Sequence, residues 1–301
     1  MAFPPLARPP WLEPVLSLGR KLLPARLRGD VPVVPVVRLS GTIGFSTPLR
    51  PGLTLTALAR TLDRAFSYRH ASAVALAINS PGGSAVQSHL IHNRIRQLSA
   101  AKGVPVIAFV EDVAASGGYM IACAADEIIG DPASIVGSIG VVGGSFGFHR
   151  LIEKIGIERR LYTSGEHKAM LDPFLPEEPG DVARLKTIQR EIHDGFIALV
   201  KGRRPRLSGA ESDLFSGEYW TGRRALELGL IDGLGDLRTA LRERFGAKVL
   251  TPLVASERGW FGRRVQGIGA AGNEAFWGRP NFADEIVSAI ETRALWARFG
   301  L

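Results

Sequence analysis

The chain has 301 residues, 46% of them hydrophobic, with 37 Lys and Arg against 29 Asp and Glu and one cysteine. That length and apolar content suffice for a large buried core, and a lone cysteine excludes an internal disulfide framework and fits a reducing compartment. No C-x-x-C, H-E-x-x-H or Walker-type run occurs, so neither a metal nor a nucleotide cofactor is expected. The net charge of +8 admits an anionic partner. Without the aromatic and basic interleaving of a nucleic-acid module, it is read as favouring an anionic membrane or solubility rather than nucleic acid.

Residues 1–30 form a Pro-rich extension. Pro4, Pro5, Pro9, Pro10, Pro14 and Pro24 break it, and Arg8 and Glu13 interrupt any apolar run, so neither a secretory signal nor a transmembrane helix is predicted. Between the last two prolines, Val15, Leu16, Gly19, Leu22 and Leu23 share one helical face and Arg20 and Lys21 the other. Such a short amphipathic helix lies on an anionic membrane or docks on the core or on a neighbouring subunit, and both readings stay open.

The main domain is placed at 31–250. Val31 to Leu39 reads as a first strand, kept near an edge by its prolines. Leu55 to Phe66 reads as a helix with Leu55, Leu58, Leu62 and Ala65 or Phe66 inward. Ala73 to Ile78 is a buried strand that runs into Asn79-Ser80-Pro81-Gly82-Gly83-Ser84, followed by a helical pattern from Ala85 to about Ala100. Val104 to Val110 is a second such strand, predicted to enter a sharp turn over E-D-V-A-A-S-G-G-Y. The small residues after Gly118, Cys123 among them as a buried structural thiol, suit a tightly packed helix. Strands alternating with helices predict an α/β fold with largely parallel pairing.

Pro132 to His149 carries no formally charged residue, and its glycines suggest a strand lining a substrate cleft or a barrel-like core. A short helix from Arg150 to Ile155 and a strand from Glu158 to Thr163 then deliver Lys168. A long helix from about Asp181 to Lys201 repeats Val182, Leu185, Ile188, Ile192, Phe196 and Leu199 at helical spacing, as core or subunit contact. Arg203, Arg204 and Arg206 read as a solvated basic knot. A helix through Leu228 leads to Gly229-Leu230-Ile231-Asp232, and Asp236 to Phe245 is the last regular helix of the domain. Within 251–301, Ser256 to Arg279 reads as a linker and Asp284 to Phe299 as a helix that docks on a partner subunit, on the membrane or near the active site.

Ser116 stands where a strand hands over to a helix, with backbone N–H groups of the following glycines free to face an anion. A serine nucleophile occupies such a turn in many hydrolases, although the G-x-S-x-G spacing is absent and Ser and Gly also occupy tight turns for backbone reasons alone. Gly82 and Gly83 permit close backbone approach, so one of their N–H groups pairs with that of Gly117 as a candidate oxyanion hole. Lys168 is the candidate base. A lysine must lose about three pK units from roughly 10.4 to accept a proton at neutral pH, a cost of about 4 kcal/mol on its charged form. The apolar Ala169, Met170, Leu171 and Phe174, with the uncharged stretch before them, are the candidates for desolvating it, and Glu166 is expected to point away. His149, oriented by Asp112, is the rival base.

Four motifs in order, N-S-P-G-G at 79–83, A-S-G-G-Y at 115–119, G-S-I-G-V at 137–141 and S-G-E-H-K at 164–168, resemble the signal peptide peptidase A family, peptidase family S49. The resemblance covers roughly Val33 to Val249. It implies a Clp/crotonase-like fold, an α/β spiral of βαβ units with parallel sheets, here with N- and C-terminal helical extensions. It also implies serine endopeptidase activity by a Ser/Lys dyad, with Ser116 as nucleophile, Lys168 as base, Gly83 and Gly117 as oxyanion donors and Ser138 as a hydroxyl that orients the lysine. In shorter members the lysine follows the serine by about fifty residues, as it does here. The resemblance implies further that cleaved signal peptides or other unfolded, apolar peptides are substrates and that the chain forms a homo-oligomer. The lone cysteine predicts a cytoplasmic location, and the basic amphipathic stretch at 15–23, in its membrane reading, a peripheral position on the inner face of the cell membrane. The chain departs from many relatives in lacking a clear transmembrane helix. Two other readings stay open: a crotonase-type acyl-CoA enzyme, in which Lys168 has no special role, and a catalytically inactive membrane-associated scaffold.

Overall fold

The computed structural model describes residues 31–44, 52–255 and 293–300. The amphipathic stretch near the N-terminus and the 256–292 segment lie outside the described residues.

β-Branched and small apolar runs build a mainly parallel sheet. Its strands are β1 (Val36–Ser40), β2 (Val74–Ser80), β3 (Val106–Ala115), β4 (Glu127–Gly130) and β7 (Gly233–Leu234), adjacent in that order. Two further strands branch from the end of β3: β5 (Ile135–Gly137) pairs parallel with it, and β6 (Tyr219–Thr221) pairs antiparallel with β5. β1 ends the main path, as Pro32 and Pro35 just before it suggest, and its outer side is covered by residues 250–254, which exchange backbone hydrogen bonds with Val34 and Val36. Alternation along the central strands separates two buried layers. Leu76, Ile78, Ala108, Val110 and Ala114 face helices α1 (Leu55–Phe66), α2 (Ala85–Lys102) and α3 (Gly117–Ala122). Ala75, Ala77, Ile107 and Phe109 face Leu241 on the helix at Leu237–Phe245. Helix α2 begins on Ser84, whose hydroxyl accepts from the Gln87 N–H, and ends on Gly103 at φ +62°, so both of its boundaries are set by the residue types that cap helices.

The sequence places the end of the second buried strand at Val110; in the structure β3 runs on to Ala115. A register shift between Ile78 and Ser80 lets the extension pair with β5 while staying beside β2. Glu111 and Asp112 are tolerated there because they sit at the rim, where Glu111 meets Arg38 at 3.0 Å and Asp112 accepts from the Asn79 amide at 2.5 Å.

The region 138–178 departs furthest from expectation. Only Ile135–Gly137 of the glycine-rich stretch is strand, and residues 143–148 are exposed coil. A short helix, α4 (His149–Lys154), forms as predicted, but residues 158–163 are exposed and make no strand. The helix that follows, α5 (Pro179–Arg203), buries Phe196 and Val200 only; Val182 and Leu185 of the periodic stripe are half-buried, and Ile188 and Ile192 are exposed. Val142, Phe146, Ile157 and Tyr162 are exposed with them. The basic knot is corrected as well. Arg204 is buried and bonds both carboxylate oxygens of Asp232 at 2.8 Å, and Arg203 donates to the carbonyls of Cys123 and Ala125. The buried Arg204 and half-buried Arg203 guanidinium groups persist because each of these carbonyls and the carboxylate takes a donor from them; only Arg206 is exposed.

Candidate active site

Ser116 has φ +52° and ψ −122°, a conformation that a non-glycine residue adopts only when its surroundings impose it. Its N–H donates to Gly137 O at 2.8 Å, its carbonyl accepts from Met120 N at 3.0 Å, and β3 delivers it through the Ala115 and Gly137 pairing. The neighbouring turn is strained in the same way: Ser138, at φ +52° and buried, donates its N–H to Glu218 O at 2.6 Å. Ser116 and Ser138 are two of the four non-glycine residues with positive φ among the described residues. The hydrogen bond from Ser116 to Gly137, the residue before Ser138, therefore brings the two predicted serine turns side by side.

The glycines are required by contact. A Cβ on Gly82, at φ +100°, would stand 2.8 Å from Ser116 Cβ and 2.9 Å from Gly117 N, and one on Gly118 would stand 2.5 Å from Ser80 O. The N-S-P-G-G loop thus lies directly against the serine turn, with Gly82 the residue in contact and Gly83 held by Ile43, whose carbonyl accepts from Ser84 N at 2.9 Å. Gly83 N–H and Gly117 N–H have no acceptor among the described residues. Helix α3 behind the serine is wholly buried. It is tied at Tyr119, whose hydroxyl donates to Leu230 O at 2.8 Å, and at Met120, whose carbonyl accepts from His92 at 2.9 Å.

That burial has electrostatic consequences. Desolvation lowers the His92 pKa to about 4, partly opposed by the hydrogen bond to Met120, so the imidazole is neutral with Nδ1–H as donor. Desolvation likewise pushes the Cys123 thiol up to about 12, which leaves it an inert apolar group as read from the sequence. The burial of His92 comes from packing against α3, which spacing within α2 does not reveal.

Lys168 is placed differently. It is exposed, in a turn over residues 166–170, and its ammonium has no hydrogen bond or ion pair among the described residues. Ala169, Met170, Leu171 and Phe174 are half-buried beside it and do not cover it. The described residues therefore do not supply the desolvation that a lysine base requires. The rival triad is not assembled among the described residues either: Asp112 is engaged by Asn79, and His149 Nδ1 is buried without a partner there. Two cavities, about 340 Å³ beside Phe109, Asp131 and Asp236 and about 390 Å³ beside Val141, Gln189 and His193, include neither Ser116 nor Lys168 in their walls. Among the described residues no helix is long and apolar enough to cross a membrane.

Comparison with known proteins places this geometry in a family. Residues 99–249, half of the chain and the part that holds Ser116, Ser138 and Lys168, match peptidase family S49. The serine protease SPPA of Arabidopsis thaliana chloroplasts is 33% identical over 221 residues, 71% of this chain and 32% of that protein. A Brucella abortus protein named Na(+)/H(+) antiporter NhaA is 52% identical over 288 residues, 95% of this chain and 39% of that protein, so the shared part includes the peptidase-family stretch. A solved structure of a membrane-bound stomatin-specific protease is similar at 21% identity with a TM-score of 0.43, over 78% of this chain and 92% of that one. This chain thus spans roughly a third to two fifths of the two curated relatives. It belongs to peptidase family S49.

Proposed function

We propose that the chain is a serine endopeptidase that hydrolyses unfolded, apolar peptides, cleaved signal peptides among them, through a Ser116/Lys168 dyad. The observation that carries this reading is the imposed backbone of Ser116: a serine held at positive φ at the start of a buried helix, with the Gly82–Gly83 loop packed against its turn and the Gly83 and Gly117 N–H groups without acceptors among the described residues. In the first step the Lys168 amine takes the Ser116 proton as Oγ attacks the scissile carbonyl carbon, and the carbonyl oxygen becomes an oxyanion. The N–H groups of Gly83 and Gly117 stabilise that charge, and each such donor typically contributes about 3 kcal/mol at the transition state. The C–N bond then breaks, the leaving amine takes the proton from Lys168, and water, deprotonated by the same amine, hydrolyses the acyl-serine. Ser138, next to the Gly137 carbonyl that fixes Ser116, is the hydroxyl that orients the lysine.

Assembly completes the site in this reading. Lys168 needs desolvation, and the exposed apolar residues of its arm, Phe146, Ile157 and Tyr162 with Ile188 and Ile192 of α5, offer the surface on which further copies of the chain pack. A peripheral position on the inner face of the cell membrane rests on the basic amphipathic stretch at 15–23, outside the described residues. The test is cleavage of a signal-peptide-like fluorogenic substrate by the parent, Ser116→Ala and Lys168→Ala, with assembly state recorded alongside. The proposal expects both variants to fold and assemble but to lose hydrolysis. Undiminished cleavage by Lys168→Ala assigns the base elsewhere, and an inactive parent favours the acyl-CoA or scaffold readings.

A further inference from the structure

The two faces of the strand that carries Ser116 are sealed by very different parts of the chain. One face, at Ala114, belongs to the main core. The other, at Val113 and Ala115, is covered by the far C-terminal segment: Phe299 is buried there to 6% exposure, with Trp296 and Ile135 packed beside it. The Phe299 ring meets the Tyr219 ring edge-on at 5.0 Å between centroids, and the Tyr219 hydroxyl donates to the Arg298 carbonyl at 3.0 Å. Tyr219 pairs across β6 and β5 with Gly137, whose carbonyl receives the Ser116 N–H. Every route from Phe299 to Ser116 is therefore short. It passes through Ala115, the residue before the serine, or through Tyr219 and Gly137.

We propose that Phe299 is a positioning residue for Ser116, clamping the end of β3 against β5 so that the serine keeps its positive-φ conformation. The catalytic consequence rests on the peptidase reading above; the mechanical one does not. A non-glycine residue at such φ and ψ relaxes toward ordinary backbone unless its neighbours are fixed. β5 is only three residues long, and the partner on its other side, β6, is equally short. So brief a pairing holds little by itself, and the aromatic clamp supplies apolar contact on the face that the main core does not reach. The segment acts from more than 180 residues along the chain, which is why no local motif around Ser116 announces it.

The experiment uses the full chain and the variants Phe299→Ala, Phe299→Leu and Tyr219→Phe. Two readouts are taken: the rate at which a fluorophosphonate acylates Ser116, and amide hydrogen exchange over residues 113–120 with β1 as the internal reference. The proposal expects Phe299→Ala to slow acylation about 10- to 100-fold, the scale of loss when a reacting group is misplaced by about an ångström. Exchange over 113–120 should quicken while β1 is unchanged. Phe299→Leu, which still fills the site, should restore most of the rate, and Tyr219→Phe should fall between. With a peptide substrate the loss should appear in kcat with KM little changed. Parental acylation and exchange rates in Phe299→Ala overturn the proposal, as does faster exchange everywhere, which marks a general stability role. If the parent itself is not acylated, the peptidase reading fails and the exchange comparison alone decides the clamp.

Discussion

Around Ser116 each backbone neighbour is fixed by a hydrogen bond or by a contact that no larger residue fits, whereas Lys168, in the same family stretch, stands exposed in a turn without a partner among the described residues. The serine half is built from strands and helices whose apolar faces close on one another inside a single chain. The lysine half carries comparable apolar content in Phe146, Ile157, Tyr162 and Ile188 but leaves it in water. The contrast teaches that the proposed nucleophile and the proposed base answer to different constraints: the first is positioned by the fold, the second by whatever covers the arm. Substitutions in the serine half should act on stability and activity together, and substitutions in the arm on assembly and activity with the chain's own stability spared.

The largest effect expected on that contrast is at Arg204. Arg204→Met removes the buried partner of a doubly bonded pair, leaving the Asp232 carboxylate with the Ile128 N–H but without its counter-charge and the Gly229 carbonyl without its donor. Denaturant unfolding should show a loss of about 3–5 kcal/mol. Acidification comes next. Because the folded-state pKa of His92 is lowered to about 4, the folded and unfolded states are both neutral there above about pH 6.5 and no penalty exists. As pH falls from 6.5 toward 4 the unfolded state binds a proton that the folded state refuses, and stability drops by up to about 3 kcal/mol. His92→Gln keeps a donor for the Met120 carbonyl and should flatten that part of the stability profile; an unchanged profile would assign the acid sensitivity to other groups. A smaller cost, about 1–3 kcal/mol, is expected for Gly82→Ala, whose Cβ would press on Ser116 Cβ. Its acylation rate should fall more than its stability suggests, and a normal rate would show that the two loops move independently. In the arm, Phe146→Ser with Tyr162→Ser should change the unfolding free energy of the separate chain by less than about 0.5 kcal/mol. Sedimentation should nevertheless show the assembly dissociating and hydrolysis lost with it, whereas an intact assembly would place the subunit contact elsewhere.

Legibility in the sequence followed the same division. Helix α1 was readable to the residue, because Thr54 caps it and Leu58, Leu62 and Phe66 repeat at helical spacing over a buried stripe. The Ser116 turn and the Gly82–Gly83 loop were readable because positive φ and close approach leave few residue types admissible. The end of β3 was misjudged because Glu111 and Asp112 look like a turn until Arg38 and Asn79 are seen to receive them. Arg203 and Arg204 were misread for a related reason: a basic run says nothing of the carbonyls that await it at the end of another helix. The burial expected around Lys168 failed because periodicity reports that a face is apolar without reporting what covers it. The strand expected at 158–163 has no partner among the described residues and remains exposed backbone. The Phe299 clamp was the least readable feature, since its meaning lies in Val113 and Ala115, far away in sequence.

The central claim is that Ser116 becomes a nucleophile only through Lys168, and the most direct measurement is the pH dependence of Ser116 acylation by a fluorophosphonate. It is made on the assembled parent and on Lys168→Ala, with Ser116→Ala as the blank. The account predicts labelling of Ser116 that rises with pH through a pKa well below about 10.4, the ordinary lysine value, and a loss of about a thousandfold or more in Lys168→Ala at neutral pH. Labelling of Lys168→Ala at the parental rate, or label retained by Ser116→Ala, would contradict it.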